Sequence, residues 1–548
     1  MNRFVCFSLL LLVTSCAKNP ATNDLDFVVM DETEEYQLGR DARKTISNSK
    51  LYKNKEKQKY FRDLAEEVYN VGERPHKDFS FYLLDNDQLN AAATPGYMFM
   101  YRGMLPVLMD EASLMGVMAH EAGHINARHA VKKSSTKALK NWAFGGIFSV
   151  FKKKNEDDTI DYAYSRHMEY EADDLAMRYL RKLDIPTINM RSTYLAFQKQ
   201  NDIYIDLANL NENLKYKVKN ENYIYRSHPL GKDRANRIEK NSYNWKEMLE
   251  YYNQDEFYKQ LDGMAYGYSG KGKSEFVIKK SVDNQAKVIK DSMSGIYGFK
   301  NVAYLKKQGL KITMPELYQA RVLTGDPLGY NYNKAIKVSL NNYSDDRNKT
   351  SLDIIADVFG LKSHARKDFF KSVKENKQDG YAKSLTSEFS DKMAEGEELF
   401  SFKISSSFIY QLLNINTTYY YIYVKQLDAL DENGEHDDYK NDFRVIILSS
   451  NSKKSFDEHM LDDILFIKDN LVELNAKQKS KIKPLAIKTR KATGFESAKE
   501  LSQDNIPYIH FNQEWFRLFN GLYDEFDMEM QLEQGKWLKL IPNPNKDI

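Results

Sequence analysis

The sequence predicts an α+β protein with a mainly helical first part and an α+β second part. Helical patterns dominate residues 31–240, and six of the ten histidines lie in that stretch. Residues 269–273 have the composition of a linker. Beyond them, apolar runs rich in β-forming residues end in turn signals, and residues 419–424 and 445–448 flank a polar loop as in a long hairpin.

The composition is that of a folded chain with material for several domains. At roughly 150 residues per domain, 548 residues correspond to about three or four domains. The 80 Lys and Arg residues are balanced by 78 Asp and Glu residues without long blocks of one sign, which argues against a nucleic-acid partner. A hydrophobic content of 42% excludes a largely disordered chain.

The amino terminus has the pattern of a bacterial lipoprotein signal. Arg3 precedes an apolar stretch at residues 4–13, which is too short for a membrane span of about 20 residues but suits a signal-peptide core. Small residues then lead to Cys16 and resemble a lipobox, so we expect cleavage before Cys16 and lipid attachment to it. An ordinary cleaved signal with an idle cysteine is the alternative. We expect a bacterial envelope protein, lipid-anchored in the outer membrane and facing the periplasm.

The residues 120–124 form an HExxH pattern within a predicted helix over residues 110–133, with Asp110 as its cap. Histidines four residues apart on a helix lie on the same side and can both bind one Zn²⁺. Glu121 falls on the otherwise apolar face of this helix, where an unpaired carboxylate is costly. Because this short motif also occurs by chance, a second element is needed to assign a metal site.

The second element is the acidic segment at residues 165–173. Glu169 and Asp173 are again four residues apart on a predicted helix. One carboxylate can complete a site of two histidines and one acid, and the other can accept the ring N–H of a ligating histidine. A solvent-exposed acidic helix face is the alternative for this segment alone, and its position after the HExxH pattern favours the metal site.

These segments resemble the HtpX and CAAX-prenyl-protease type zinc metallopeptidases, which are gluzincins of peptidase family M48, and within them a periplasmic lipoprotein branch linked to outer-membrane assembly. The resemblance implies one Zn²⁺ per chain, bound by His120, His124 and Glu169, with Glu121 as general base and Asp173 as hydrogen-bond partner of a ligand. It covers residues 19–267 and rests on spaced motifs: Asn19-Pro20, Asn90-Ala91, Gly96, residues 100–105, the HEAGH and EYEAD segments, Ser227-His228-Pro229 and Arg234.

The resemblance also implies an edge strand for substrate within residues 90–101. Asn90, Ala91 and Gly96 would bind an extended peptide that adds to this edge as a further strand. Residues 92–95 depart from the family pattern, where bulkier apolar residues are common, so the pocket preference is open.

Three histidines and one arginine outside the ligand set have more than one interpretation. His228 is expected to act as an oxyanion donor or as a fourth ligand that closes the site, and the alternative is a packed histidine before Pro229. Arg234 either orients this segment or forms a surface salt bridge. His129 and His167 are expected to serve packing or the helix surface rather than ligation.

An apolar segment at residues 142–151 lies between the two metal helices and is flanked by lysines. It is too short to span a bilayer. A lid over the cleft, a segment lying on the membrane surface and ordinary core burial are the three interpretations.

With this resemblance we divide the chain into a signal peptide (1–15), a lipid-anchored tether (16–30), a zinc metallopeptidase domain (31–245), a connecting segment (246–272) and an α+β region of unknown role (273–548). We expect a zinc endopeptidase that acts on unfolded or misassembled envelope proteins. The alternative is a chaperone-like outer-membrane assembly factor with a latent protease site, in contact with the assembly machinery. A purely structural zinc site is disfavoured, because such sites usually have four protein ligands.

Overall fold

The structure is a computed structural model. It describes residues 16–23, 25–27, 30–46, 51–76, 78–132, 166–209, 231–242, 251–269, 276–278, 287–289, 296–316, 318–320, 322, 329–331, 334–343, 350–376, 382–405, 417–430, 436–450, 459–523 and 526–548. The predicted signal peptide, residues 142–151 and His228 lie outside the described residues. Within the described ranges, none of the helices has both the length and the apolar composition that crossing a bilayer requires.

A short hairpin at the predicted lipid anchor begins the described chain. Strands β1 (Cys16–Lys18) and β2 (Leu25–Phe27) pair antiparallel, with Cys16 opposite Phe27. Asn19, between the strands, is buried, and its side-chain nitrogen donates to Glu171 Oε1 over 3.2 Å. The segment predicted as a tether is therefore packed against the body of the protein at this point.

Two capped helices and a small sheet follow. Helix α1 (Glu32–Thr45) begins at Asp31 and α2 (Lys55–Asn70) begins at Asn54, and each cap side chain accepts a backbone N–H of the first turn. The sheet has the order β3-β5-β4 and consists of β3 (Ser80–Leu84), β4 (Ala91–Thr94) and β5 (Tyr97–Tyr101).

Strand β4 lies at the edge of this sheet. It pairs antiparallel with β5, which in turn runs parallel to β3. The turn between β4 and β5 contains Gly96 with a φ of +79°, a conformation that residues with a side chain rarely adopt. Among the described strands, none pairs with the other side of β4, so its backbone groups there are open to an added strand.

Helix α3 (Glu111–Asn126) carries the HExxH pattern and is buried along its whole length. Asp110 caps it by accepting the backbone N–H of Ser113 over 2.7 Å. A helix that is buried on all sides lies in the centre of a domain. The structure differs from the predicted helix over residues 110–133, because α3 ends at Asn126 and Arg128 adopts a φ of +58°.

The break has a local cause. The Arg128 side chain turns towards Glu35 on α1 and donates to Glu35 Oε2 over 2.9 Å. Glu35 is fully buried and also accepts a bidentate hydrogen bond from Arg74. This buried charge cluster offsets the strain at Arg128 and fixes α1 against the end of α3.

The helices α4 (Arg166–Lys182), α5 (Met190–Asn209), α6 (Gly231–Asn241) and α7 (Gln254–Leu261) complete the helical part. α4 packs closely against α3 at Gly123. A Cβ built on Gly123 would lie 2.9 Å from the backbone oxygen of Ala172 and 3.1 Å from its Cα, so the two helix backbones can approach this closely only with glycine there.

The second part contains further sheets, and the predicted α+β class is confirmed. Its first strands are β6 (Phe276–Ile278), β7 (Lys287–Ile289), β8 (Ile296–Phe299), β9 (Val302–Leu305), β10 (Leu310–Thr313), β11 (Gln319–Ala320), β12 (Gly329–Asn331) and β13 (Lys334–Tyr343). Then follow α8 (Ser351–Val358), α9 (Ser363–Glu375), β14 (Ala382–Ser384), β15 (Glu397–Ser405), β16 (Thr417–Leu430) and β17 (His436–Ser450). β16 and β17 form the predicted long hairpin, with Ile422 opposite Ile447.

A seven-stranded antiparallel sheet dominates this part, in the order β11-β12-β13-β17-β16-β15-β14. The chain ends with α10 (Met460–Asp469), β18 (Leu471–Glu473), α11 (Ala476–Lys481), β19 (Lys488–Lys491), α12 (Ala498–Asn505), α13 (Asn512–Phe519) and β20 (Trp537–Leu540). β18 pairs with β10 in a four-stranded sheet of the order β18-β10-β9-β8, whereas β19 and β20 pair with each other.

The last 60 or so residues belong to the core of the helical part. Leu485, Trp515, Phe516 and Leu538 share one hydrophobic cluster with residues of α2, α3 and α4. Lys539 is 1% exposed, and its ammonium group donates to the backbone oxygen of Leu108 just before α3. The core that surrounds the metal helices therefore extends beyond the predicted boundary at residues 246–272.

We predict that Gly123→Ala lowers the stability of the protein. A methyl group there meets the backbone of α4, and such overpacking costs about 1–3 kcal/mol, more than the helix propensity gained. Chemical denaturation measures the change, and a Gly123→Ala variant at least as stable as the unmodified protein would contradict the close helix contact.

Candidate metal centre

Three side chains from two helices converge at the centre of the helical part. His120 and His124 lie on α3, Glu169 lies on α4, and all three are at most 5% exposed. The two Nε2 atoms are 3.0 Å apart, and the Glu169 carboxylate oxygens lie 3.4 Å from His120 Nε2 and 3.5 Å from His124 Nε2. Among the described residues, this is a group of side chains that can hold one metal ion.

These separations fit a tetrahedral metal ion. Bonds of about 2.0–2.1 Å in tetrahedral geometry place neighbouring ligand atoms about 3.3 Å apart. The three observed separations lie close to this value. The donor set of two imidazoles and one carboxylate is that of catalytic zinc sites, which keep a fourth position for a non-protein ligand.

Asp173 fixes the protonation of His120. It lies one turn after Glu169 on α4, and its Oδ1 is 2.9 Å from His120 Nδ1. A carboxylate only accepts hydrogen bonds, so Nδ1 of His120 carries a proton and Nε2 faces the ligand cluster. Burial opposes ionisation of Asp173, but the Arg234 guanidinium and the hydrogen bond with His120 hold its pKa well below the ordinary value.

Arg234 is part of this buried network and not a surface salt bridge. It is 1% exposed, and its guanidinium donates to Glu169 Oε2 over 2.8 Å and to both oxygens of Asp173. Tyr194 on α5 also donates to Asp173 and accepts from Arg234 over 2.8 Å. One cation thus neutralises part of the charge of two buried carboxylates and holds both in place.

His129 orients the second histidine ligand, a role that the sequence analysis did not assign. His129 Nδ1 lies 2.7 Å from His124 Nδ1, and His129 Nε2 lies 3.0 Å from Glu171 Oε2. Because the carboxylate accepts from Nε2–H, the neutral ring accepts at Nδ1, and His124 must donate from its own Nδ1. Burial lowers the pKa of His129, which favours this neutral form.

The break after α3 makes the contact between the two rings possible. In a continuous helix, a residue five positions on lies about 140° around the axis, since each residue turns 100°. The positive φ of Arg128 changes the direction of the chain and brings His129 back against His124. Nothing in the composition of residues 127–129 predicts that Arg128 adopts a left-handed backbone conformation.

The arrangement of hydrogen bonds leaves three electron-rich atoms facing one another. The Nε2 lone pairs of His120 and His124 lie 3.0 Å apart with the Glu169 carboxylate beside them. Such atoms repel one another unless a cation lies between them. A metal ion or a proton must therefore occupy the space, and the residues present fit a divalent metal.

Glu121 lies next to this cluster at the wall of a small cavity, and it is 3% exposed. Val117 and His120 of α3, Ala91 of β4 and Phe197 of α5 also line the cavity. The cavity therefore borders Glu121, the cluster residue His120 and the edge strand.

The three residues predicted to bind substrate, Asn90, Ala91 and Gly96, lie in different environments. Asn90 is 5% exposed, and its side-chain oxygen has no hydrogen-bond donor among the described residues. Ala91 pairs with Met100 in the sheet and lines the cavity. Gly96 forms the turn between β4 and β5, where its backbone oxygen accepts the N–H of Ser80 over 3.0 Å.

The remaining residues considered in the sequence analysis are Cys16, His228 and His167. The backbone of Cys16 begins β1. The oxyanion or ligand role of His228 stays a prediction, because His228 is outside the described residues. The His167 side chain is 88% exposed and lies on the surface of α4, 3.9 Å from Glu171 Oε2.

We predict that the protein binds one equivalent of Zn²⁺ and that Glu169→Ala weakens this binding at least about 100-fold, since a bound ion would lose one of three ligands. Competition with a coloured chelator measures the affinity. His167→Ala is the control, because it removes an exposed imidazole from the same helix. Unchanged zinc affinity in Glu169→Ala would show that the cluster is not the metal site.

Metal binding should depend on pH through His120. Burial and the Arg234 charge act to lower the pKa of His120, but hydrogen bonds to Asp173 and Glu169 outweigh them and raise it to about 9 in the metal-free chain. At pH 7 the ring then carries an extra proton that a metal ion must displace. The apparent zinc affinity is expected to rise about tenfold per pH unit up to about pH 9 and then to level off.

Titration calorimetry in buffers of different ionisation enthalpy measures the released protons directly. Asp173→Asn removes one of the groups that raises this pKa, so the plateau in affinity should move to lower pH. An affinity that is flat between pH 6 and 8 in the unmodified protein would exclude this protonation.

The comparison with known families agrees with this geometry. No curated protein matches the chain. Residues 55–242 match the model of peptidase family M48, and this range contains the three cluster residues, Glu121, Asp173, Arg234 and the edge strand β4. The family expected from the HEAGH and EYEAD segments is therefore confirmed, whereas the lipoprotein branch stays a prediction. Residues 55–242 of this chain are a domain of peptidase family M48.

Proposed function

We propose that this chain is a zinc-dependent endopeptidase that hydrolyses peptide bonds of unfolded or misassembled proteins in the bacterial cell envelope. The observation that carries the proposal is the convergence of His120, His124 and Glu169 in a domain of peptidase family M48, with Glu121 at the wall of the adjoining cavity. Two histidines and a glutamate leave a vacant ligand position, which favours catalysis over a structural zinc role.

The zinc ion and the protein side chains would carry out different parts of peptide hydrolysis. A zinc ion held by the three ligands would supply Lewis acidity that activates water and polarises the substrate carbonyl. Glu121 would take the proton from the attacking water and pass it to the departing amine.

Buried charges around the ligands keep the site in one geometry. Asp173 holds His120 by its Nδ1–H, and His129 with Glu171 holds His124 in the corresponding way. Both ligands therefore point Nε2 at the metal position before any metal binds. This preorganisation supports catalysis, since the ligands need not reorient during turnover.

The edge strand supports an extended polypeptide as substrate. β4 is unpaired on one side among the described strands and lies beside the cavity through Ala91. The Asn90 side-chain oxygen is a buried acceptor that a substrate backbone N–H would satisfy. Only a chain without stable secondary structure can add as a strand, so unfolded or misassembled proteins fit this surface.

The location in the envelope rests on the amino terminus. Lipid on Cys16 would hold the chain at a membrane, and Asn19, three residues later, is packed against Glu171. Three extended residues span about 10 Å, so the peptidase domain would lie close to the outer membrane on the periplasmic side. In that position, proteins that fail to assemble in the membrane are the nearest unfolded substrates.

A chaperone-like assembly factor is the second candidate. The second part of the chain has hydrophobic clusters of its own around the seven-stranded sheet, for example Leu399, Tyr423 and Ile446 in one of them. A region with its own core can bind partners such as the outer-membrane assembly machinery without using the metal site. The two predicted roles of His228, as oxyanion donor or as a fourth ligand that closes the site, do not distinguish the two candidate functions.

We predict that Glu121→Gln abolishes cleavage of casein, an unfolded protein, while zinc content stays at one equivalent. The amide has nearly the same shape but cannot take a proton, so a loss of at least about 100-fold is expected. Cleavage is followed by release of labelled peptides, with a chelator-treated sample as the zero point.

His167→Ala again serves as a control with an intact site. Casein cleavage at the native rate by Glu121→Gln would refute the peptidase assignment. Rescue of an envelope defect by Glu121→Gln would support the assembly factor instead.

A further inference from the structure

A second depression lies beside the metal cavity and is lined by aromatic side chains. Tyr204 of α5, Tyr266, Tyr508, Trp515 and Phe519 line it, together with Leu89 just before β4. Two of these residues, Trp515 and Phe519, belong to α13 near the carboxyl terminus. We name this feature the aromatic pocket. None of the roles discussed above uses it.

The aromatic pocket and the metal cavity are neighbours, because nearby residues of the same three chain segments line them. Ala91 lines the cavity and Leu89 lines the pocket. In the 3₁₀-helix Arg102–Val107, Met104 lines the cavity, whereas Gly103, Pro106 and Val107 line the pocket. On α5, Phe197 faces the cavity and Tyr204 faces the pocket.

Packed aromatic rings form one part of the pocket wall, and the polar residues Asp87, Gln88 and Gln200 also line it. The Trp515 ring stacks on Tyr508 with centroids 4.3 Å apart, and Tyr204 meets Trp515 edge to face at 5.9 Å. The Tyr266 and Tyr508 hydroxyl groups are hydrogen-bonded to each other over 2.9 Å. Rings held in this way offer a preformed surface for a further ring or a large aliphatic side chain.

One buried donor in the pocket has no acceptor. Trp515 is 3% exposed, and its indole N–H has no hydrogen-bond partner among the described residues. A buried indole N–H normally finds an acceptor. Because the nitrogen itself is covered, a peptide carbonyl oxygen reaches this donor only if neighbouring side chains shift when the peptide binds.

We propose that the aromatic pocket is a specificity subsite of the peptidase and binds an aromatic or large aliphatic side chain of the peptide substrate. This inference rests on the proposed function. It assigns a role in substrate recognition to residues 508–519, far outside the matched range of residues 55–242.

The geometry sets the position of the recognised side chain. Seven residues of α5 separate Phe197 from Tyr204, about 10 Å at 1.5 Å per residue, and about three residues of extended peptide cover that distance. The pocket lies towards the amino-terminal end of β4. A peptide strand antiparallel to β4 therefore places the side chain about three residues after the scissile bond.

The test uses one cleavable peptide in two forms, with phenylalanine or alanine at this position, and measures the ratio of their kcat/KM values on the zinc-loaded full chain. The unmodified protein should favour phenylalanine by roughly tenfold or more. Tyr204→Ala should reduce the ratio towards one. Ile205→Ala is the matched control, because it truncates a 45% exposed neighbour on the same helix and should keep the ratio.

A conservative variant separates recognition from folding. Trp515→Phe keeps a ring against Tyr508 but removes the N–H, so KM for the phenylalanine peptide should rise roughly fivefold when measured well below the melting temperature, which the smaller core side chain lowers. A ratio near one in the unmodified protein, or a ratio that Tyr204→Ala leaves intact, would overturn the subsite. If the unmodified protein cleaves neither peptide in a chelator-sensitive way, the proposed function itself fails.

Discussion

The close contact between α3 and α4 at Gly123 is the constraint on which the candidate site depends. Two histidines on one helix supply only two ligands, and the third must come from another helix at the right distance. Gly123 lets the backbone of Ala172 lie against α3, and this places Glu169 within 3.5 Å of both ligand nitrogens. Arg234 then neutralises part of the negative charge of the Glu169 and Asp173 carboxylates on α4.

Each histidine ligand is held by a chain of hydrogen bonds that ends on another element. His120 is connected through Asp173 to Tyr194 on α5 and Arg234 on α6. His124 is connected through His129 to Glu171, which also accepts from Asn19 beside the predicted lipid anchor. The position of the anchor segment and the geometry of the metal site are therefore coupled through four side chains.

The sequence predicted the parts of this site that follow from helix periodicity. Residues four positions apart on a helix lie on the same face, which placed the two histidines together and the two acids together. The carboxylate of Glu121 on an otherwise apolar helix face indicated a functional role. His129 could not be found in this way, because its contact with His124 requires a left-handed Arg128 that is stabilised by Glu35, 93 residues away. The aromatic pocket was equally hidden, since α5 and α13 meet only in the folded chain.

The central claim is that one ion binds between His120, His124 and Glu169. Anomalous X-ray diffraction at the zinc edge, on crystals of the zinc-loaded full chain, tests it most directly. The account predicts one strong peak about 2.0–2.2 Å from both Nε2 atoms and from a Glu169 oxygen. A peak elsewhere, or a zinc ion that leaves Glu169 uncoordinated, would contradict it.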